Sequence, residues 1–144
     1  MLPSLVSYST PNEYRTHFEQ TYCRSPISTF DGIQVRFRKT DFDHSFFEST
    51  RRNGIKDKFS LKRAERIDWI KAVLMDPNAD LRVGWNKKKK RYDISRRVAL
   101  VVGPYVVVIA LQKNNTTKAK FITSYLADSG STVKKILKSP VWGS

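Results

Sequence analysis

The sequence holds one cysteine, Cys23, and two histidines, His17 and His44. A lone thiol cannot close an intramolecular disulfide, and no Cys/His group has the spacing of a zinc site. Acidic residues are scarce late in the chain: after Asp80 only Asp93 and Asp128 remain. A magnesium site built from several carboxylates is not expected, which disfavours a metal-dependent nuclease. Neither GxGxxG nor GxxxxGK followed by Ser or Thr occurs, so no phosphate-cradling loop is indicated. The GxSxG elbow and HExxH are missing too. The longest apolar run, Tyr105–Leu111, is far too short to span a bilayer. The Met1–Ser4 start lacks the basic flank and apolar stretch of a signal peptide, so the expected place of action is the cytoplasm. No cofactor is expected.

Positive charge is what the chain has in quantity. Its 144 residues carry 27 Lys and Arg against 13 Asp and Glu, a net charge of +14. The first fifty residues hold five basic residues (Arg15, Arg24, Arg36, Arg38, Lys39) and six acidic ones, so the excess lies entirely in the rest of the chain. Such one-sided charge points to a polyanionic partner rather than to solubility alone, which mixed charge serves better. An anionic membrane is the weaker choice. The Ser60–Met75 stripe is needed for a core, and no second helix offers a broad apolar face, so no membrane partner is expected.

A hydrophobic content of 40% is enough for one folded domain. Asn12–Arg24 places Tyr14, Phe18 and Tyr22 at i, i+4, i+8 and reads as a helix ended by Pro26. Ile33–Arg38 alternates apolar and basic, as a half-buried strand does. Asp41–Thr50 is rich in phenylalanine, includes His44, and fits a short helix or turn. Arg51–Lys58 is a basic loop. Ser60–Met75 is the clearest helix: Ser60 suits the N-cap, and Leu61, Ala64, Ile67, Ile70 and Leu74 form a core stripe widened by Trp69 and Val73. Lys62, Arg63 and Arg66 lie beside or opposite that stripe.

The periodicity then turns extended. Strands are expected at Leu81–Trp85, Tyr92–Val102, Tyr105–Leu111 and Ala119–Tyr125, with turns at Asn86–Arg91, Gly103-Pro104 and Asn114–Thr117. Tyr105–Leu111, apolar throughout, reads as a strand covered on both faces. The expected fold is α+β, with N-terminal helices packed on one face of a four-stranded antiparallel meander. One domain covers 1–144: a helical extension over 1–30, a strand and helices over 31–75, the sheet over 81–125, and a short basic helix over 131–142.

Without metal ligands, phosphodiester chemistry has one natural route. RNA supplies its own nucleophile, the 2′-OH, and an enzyme adds a base, an acid and fixed cations around the phosphate. His44 can transfer a proton near neutral pH. Arg66 can clamp a phosphate, and Thr123 and Tyr125, on one strand face by period two, can orient the hydroxyl or phosphate oxygens. Each has a plainer alternative: a core histidine among phenylalanines, an arginine paired with acids on its own helix, and ordinary strand residues. The lysine run Lys87–Lys90 reads as a solvated hairpin turn with at most an ancillary grip on RNA.

The order His44–Phe47, Arg63–Ile70, Arg96-Arg97-Val98, Tyr105–Ile109, Phe121–Tyr125 and Ser139–Trp142 resembles the barnase/EndoU/colicin D/RelE-like nuclease superfamily, particularly its phage- and polymorphic-toxin-associated branches. The resemblance covers roughly residues 33–142. It implies helices followed by a four-stranded antiparallel sheet and metal-independent cleavage of RNA, often tRNA or ribosome-bound mRNA, by a toxin. By position, His44, Arg66, Thr123 and Tyr125 would inherit the catalytic roles. Lys56, Lys58, Arg63, Arg96, Arg97 and Ser124 are the candidate substrate-binding residues. Barnase-like members use a glutamate base and a histidine late in the sheet. This chain has no histidine after His44 and no glutamate after Glu65, so a single-histidine or Arg/Tyr/Thr scheme is expected instead. The leading expectation is a toxin-like endoribonuclease with a small acidic antitoxin or immunity partner. The alternative is a non-catalytic RNA- or DNA-binding module of the same fold.

Overall fold

The computed structural model describes residues 2–48, 58–83, 85–86, 91–92, 97–112 and 115–127. Lys56, Arg96, the lysine run and the expected C-terminal helix at 131–142 fall outside these residues, as does most of the basic loop.

Helix α1, Pro11–Phe18, begins where Thr10 accepts a hydrogen bond from the Glu13 amide and Pro11 takes a first-turn position that needs no amide donor. It continues into a π-helical turn, Glu19–Cys23. An α-helix would carry each i+4 residue progressively off one face, and the wider turn counteracts that drift. Tyr14, Phe18 and Tyr22 are consequently all buried. Strands β1 (Ile27–Ser28) and β2 (Gln34–Arg36) follow, then α2 (Asp41–Phe46), then the short strands β3 (Phe47–Glu48) and β4 (Lys58–Phe59). Phe18 sits among the rings of Tyr22, Phe37, Phe42 and Phe46, with centroids 5.2–5.9 Å away. These are edge-to-face and tilted arrangements that favour aromatic pairs.

The expected helix over Ser60–Met75 is two helices. Ser60 caps α3, Leu61–Ala64, by accepting from the Arg63 amide. After a break at Glu65 and Arg66, where Arg66 has φ −99° and ψ 22°, the chain resumes as α4, Ile67–Met75. The break takes Leu61 out of the stripe, leaving it 54% exposed, whereas Ala64, Ile67, Ile70, Val73 and Leu74 are fully buried. Two tethers fix α3 against α2: the Ser60 amide donates to the Phe46 carbonyl, and Arg63 Nη1 donates to the Ser45 carbonyl. Tyr22 does the same for α4. Its hydroxyl donates to the Ile67 carbonyl at 2.6 Å and accepts from the Lys71 amide at 3.0 Å.

The remaining strands are β5 (Asp80–Val83), β6 (Trp85–Asn86), β7 (Arg91–Tyr92), β8 (Arg97–Val102), β9 (Tyr105–Gln112) and β10 (Asn115–Leu126). The sheet is wider than the expected four-stranded meander: β5, β8, β9 and β10 pair antiparallel in that order, and β2 and β1 continue it beyond β10. It has six strands in the order β1-β2-β10-β9-β8-β5, and it is mixed, because β2 runs parallel to β10. That pairing sets Val35 opposite Ala119, both buried, and brings Phe37 onto Phe121 in a stacked pair at 4.7 Å. β6 and β7 form a separate two-stranded ribbon, and so do β3 and β4. Gly103, at φ +58°, and Pro104 make the two-residue turn from β8 to β9. A glycine with positive φ followed by a proline suits the type II′ turn.

The helices cover one face, where Val98, Leu100, Tyr105, Val107, Ile109, Leu111, Ala119 and Phe121 join the main core. Ala99, Val101, Val106 and Val108 form a second cluster on the other face, with Ile122 and Tyr125 packed on it. β9 is buried from Tyr105 to Leu111, as its unbroken apolar run predicts. None of the described helices is long and apolar enough to cross a membrane.

Candidate functional site

Where the break between α3 and α4 meets the ends of β9 and β10, a cleft opens. Lys62, Arg63 and Arg66 line it from the helices, and Tyr105, Ser124, Tyr125 and Leu126 from the sheet. The cap on α3 turns Lys62 and Arg63 toward this side, and the break places Arg66 there too. The sheet contributes hydroxyls. Tyr105 is 2% exposed, and its hydroxyl is hydrogen-bonded to the equally buried Ser124. Burial pushes the Tyr105 phenol up to about 12. The hydrogen bond from Ser124 and the positive fields of Arg66 and Arg63 act the other way. At neutral pH the phenol therefore keeps its proton, and with Ser124 donating to its oxygen the Tyr105 O–H is the one left to donate to an anion.

Arg66 is held at several points. Its Nη1 donates to the Lys62 carbonyl at 2.5 Å and to Glu65 Oε1 at 2.9 Å. Its guanidinium carbon lies 5.0 Å from the centre of the Trp69 ring. Among the described residues, its buried Nε has no hydrogen-bond acceptor. A buried N–H of a charged group is costly to leave unmet, so an acceptor on a bound anion would relieve it. Two cationic side chains beside a third whose donor is unmet, above a pair of hydroxyls, form an arrangement suited to a tetrahedral oxyanion.

The candidate residues are only partly brought together. Arg63, Arg66, Ser124 and Tyr125 share the cleft. Thr123 does not line it. The ladder between β9 and β10 shifts between Phe121 and Thr123, so Thr123 pairs with Val108 and Tyr125 with Val106, both on the far face. The bulge reverses the phase of the strand: Phe121 faces the helices, Ile122 and Thr123 face away, and Ser124 returns to the helix side. Tyr125 borders the cleft, but its ring packs on the far-face cluster, and burial raises its phenol. His44 is in the last turn of α2 and exposed, not a core histidine. It does not line the cleft, although the next residue, Ser45, gives its carbonyl to Arg63. Lys58 is exposed on β4, and Arg97 begins β8.

Tyr105 and Lys62 were not among the candidates. Tyr105 did leave a signal: it is the one residue with a polar side-chain atom in the otherwise aliphatic run to Leu111, and a buried phenol needs a partner. Among the described residues no three His, Cys, Asp or Glu side chains group as a metal site would need. No family model, curated protein or solved structure matches the chain.

Proposed function

We propose that the chain is a metal-independent endoribonuclease of toxin-like, phage- or defence-associated type, acting in the cytoplasm on tRNA or mRNA. The observation that carries this reading is the cleft itself: Lys62, Arg63 and Arg66 above the Tyr105–Ser124 hydroxyl pair, with Arg66 Nε lacking an acceptor among the described residues. A scissile phosphate seated there meets cations on one side and the Tyr105 O–H on the other. The 2′-oxygen attacks phosphorus as its proton passes to a base. The bond from phosphorus to the 5′-oxygen breaks, that oxygen takes a proton, and a 2′,3′-cyclic phosphate remains. His44 is the proton-transfer group of this scheme, carried next to the Ser45 carbonyl that tethers Arg63. Lys58, exposed on β4, adds to the basic surface, and an acidic antitoxin or immunity protein is the partner class that its charge fits.

One observation favours the second reading, a non-catalytic RNA- or DNA-binding module: His44 does not line the cleft. Incubating the protein with total tRNA and with mRNA, with and without EDTA, separates the two. Cleavage is expected to survive EDTA, to leave cyclic phosphate ends and to spare DNA of the same sequence. His44→Ala should lower the rate by ~10²–10⁴-fold. Tight binding without cleavage would establish the binding module instead, and loss of cleavage on chelation would overturn the metal-free scheme.

A further inference from the structure

The N-terminal segment that precedes α1 is bonded along its length, although it forms neither helix nor strand. The Pro3 carbonyl accepts from Trp69 Nε1 at 2.7 Å. The Val6 amide donates to the Glu65 carbonyl at 2.8 Å, directly on the break between α3 and α4. The Tyr14 hydroxyl donates to the Val6 carbonyl at 3.1 Å and accepts from the Tyr8 amide at 3.0 Å. The far end is held by a relay of side chains: the Tyr8 hydroxyl meets His17 Nδ1 at 2.9 Å, and His17 Nε2 meets Asp68 Oδ1 at 2.7 Å. Asp68 and Trp69 are neighbours in the first turn of α4, so both ends of the segment are tied to that turn.

Trp69 stands between this segment and the cleft. Its indole N–H is bonded to Pro3, one ring face carries the Arg66 guanidinium, and the ring meets Tyr105 edge-on at 5.3 Å and 83°. An arginine side chain has several soft torsions, and its reach is useful only when those are restrained. Arg66 is restrained by two short local bonds and by the plane of Trp69, and the orientation of Trp69 is in turn set by its bond to Pro3.

We propose that residues 3–8 are a positioning strap, and that Trp69 is the positioning residue through which the strap fixes Arg66 at the cleft. The hold on Arg66 follows from the contacts above. Its consequence for a bound phosphate rests on the reading of the cleft given under Proposed function. A strap that merely covered apolar surface would contribute stability without changing how Arg66 is held.

Trp69→Phe keeps a ring for Arg66 and Tyr105 and loses the N–H to Pro3, while Tyr8→Phe releases the relay to His17. In the full chain, the Arg66 Nε–Hε resonance, assigned by its loss in Arg66→Lys, reports on both questions. Its hydrogen exchange with solvent in the free protein should speed up by about tenfold in each variant, the worth of one net hydrogen bond. The double variant should add less than the two effects combined, because both act through one strap. Affinity for inorganic phosphate, read from the same resonance, should fall in parallel with folded secondary structure retained. Unchanged exchange in both variants overturns the strap. Faster exchange in a protein whose wild type ignores phosphate keeps the strap and overturns the phosphate reading of the cleft.

Discussion

Ser124 is hydrogen-bonded to Tyr105 on the helix side of the sheet, whereas its neighbour Thr123 sits opposite Val108 on the other side. One bulge residue decides which of the two reaches the cationic cleft. Ser124→Ala would leave the Tyr105 hydroxyl buried without that partner, at a cost of about 1–3 kcal/mol. It should also reduce RNA cleavage, while Thr123→Ala should stay close to wild type in both respects. Thermal melts and cleavage assays of the two variants side by side check this, and a Thr123 variant more damaging than the Ser124 variant would place the reactive face on the wrong side of the sheet.

Ile67 and Leu61 make a second contrast. Both belong to the apolar pattern of the same stretch, but Ile67 is fully buried and Leu61 is 54% exposed. Ile67→Ala should cost ~2–5 kcal/mol through the cavity it leaves. Leu61→Ala should fall within about 0.5 kcal/mol of wild type. Equal denaturation midpoints for the two would mean that the helix is continuous after all.

Stability should fall in alkali through a defined window. The Tyr105 phenol is raised from 10.0 to about 12 and the Tyr22 phenol well above 10.0, both chiefly by burial. Below pH 10 both are protonated whether the chain is folded or not, and their contribution is fully present. As pH climbs from 10 toward 12, the unfolded chain releases these protons while the folded one keeps them, so the balance shifts toward unfolding. For Tyr105 the loss is about 2–3 kcal/mol. Denaturant titrations at several pH values should show this slope, and Tyr105→Phe should flatten its share of it.

RNA affinity should depend steeply on salt, given a net charge of +14. With ~6 phosphate contacts, binding should weaken on the order of a thousandfold between low and moderate salt. Arg66→Ala should reduce the steepness of that dependence as well as the affinity. A flat titration would remove the electrostatic basis for any nucleic-acid role.

Much of the architecture is legible in residue spacing because burial imposes periodicity. Tyr14, Phe18 and Tyr22 mark their helix, and the run from Tyr105 to Leu111 marks a strand buried on both faces. What spacing conceals is every departure from a regular period. The π-helical turn, the break at Glu65 and Arg66, and the bulge before Thr123 each shift the phase locally, and the last two moved Leu61 and Thr123 away from their expected surroundings. Gln34–Arg36 looks like an isolated strand because one partner, β1, is only two residues long and the other, β10, is distant in sequence. Of the site, the basic residues Arg63 and Arg66 are legible from charge. Tyr105 left only a weak signal, since a phenol at the head of an aliphatic strand looks like core until its partner Ser124 is known.

The parallel pairing of Gln34–Arg36 with Lys118–Lys120 has a consequence for biosynthesis. More than half the chain separates the two segments, and the cost of closing so long a loop must be met before the contacts form. While the protein is being made, β2 has only the two residues of β1 beside it, and Phe37 has no Phe121 to stack on. The cleft is subject to the same order, because Ser124 and Tyr125 arrive last while Arg63 and Arg66 have long been synthesised. The cleft therefore comes into being only once β10 has been made, and a product cut short before β10 lacks both an inner strand of the sheet and three residues of the site.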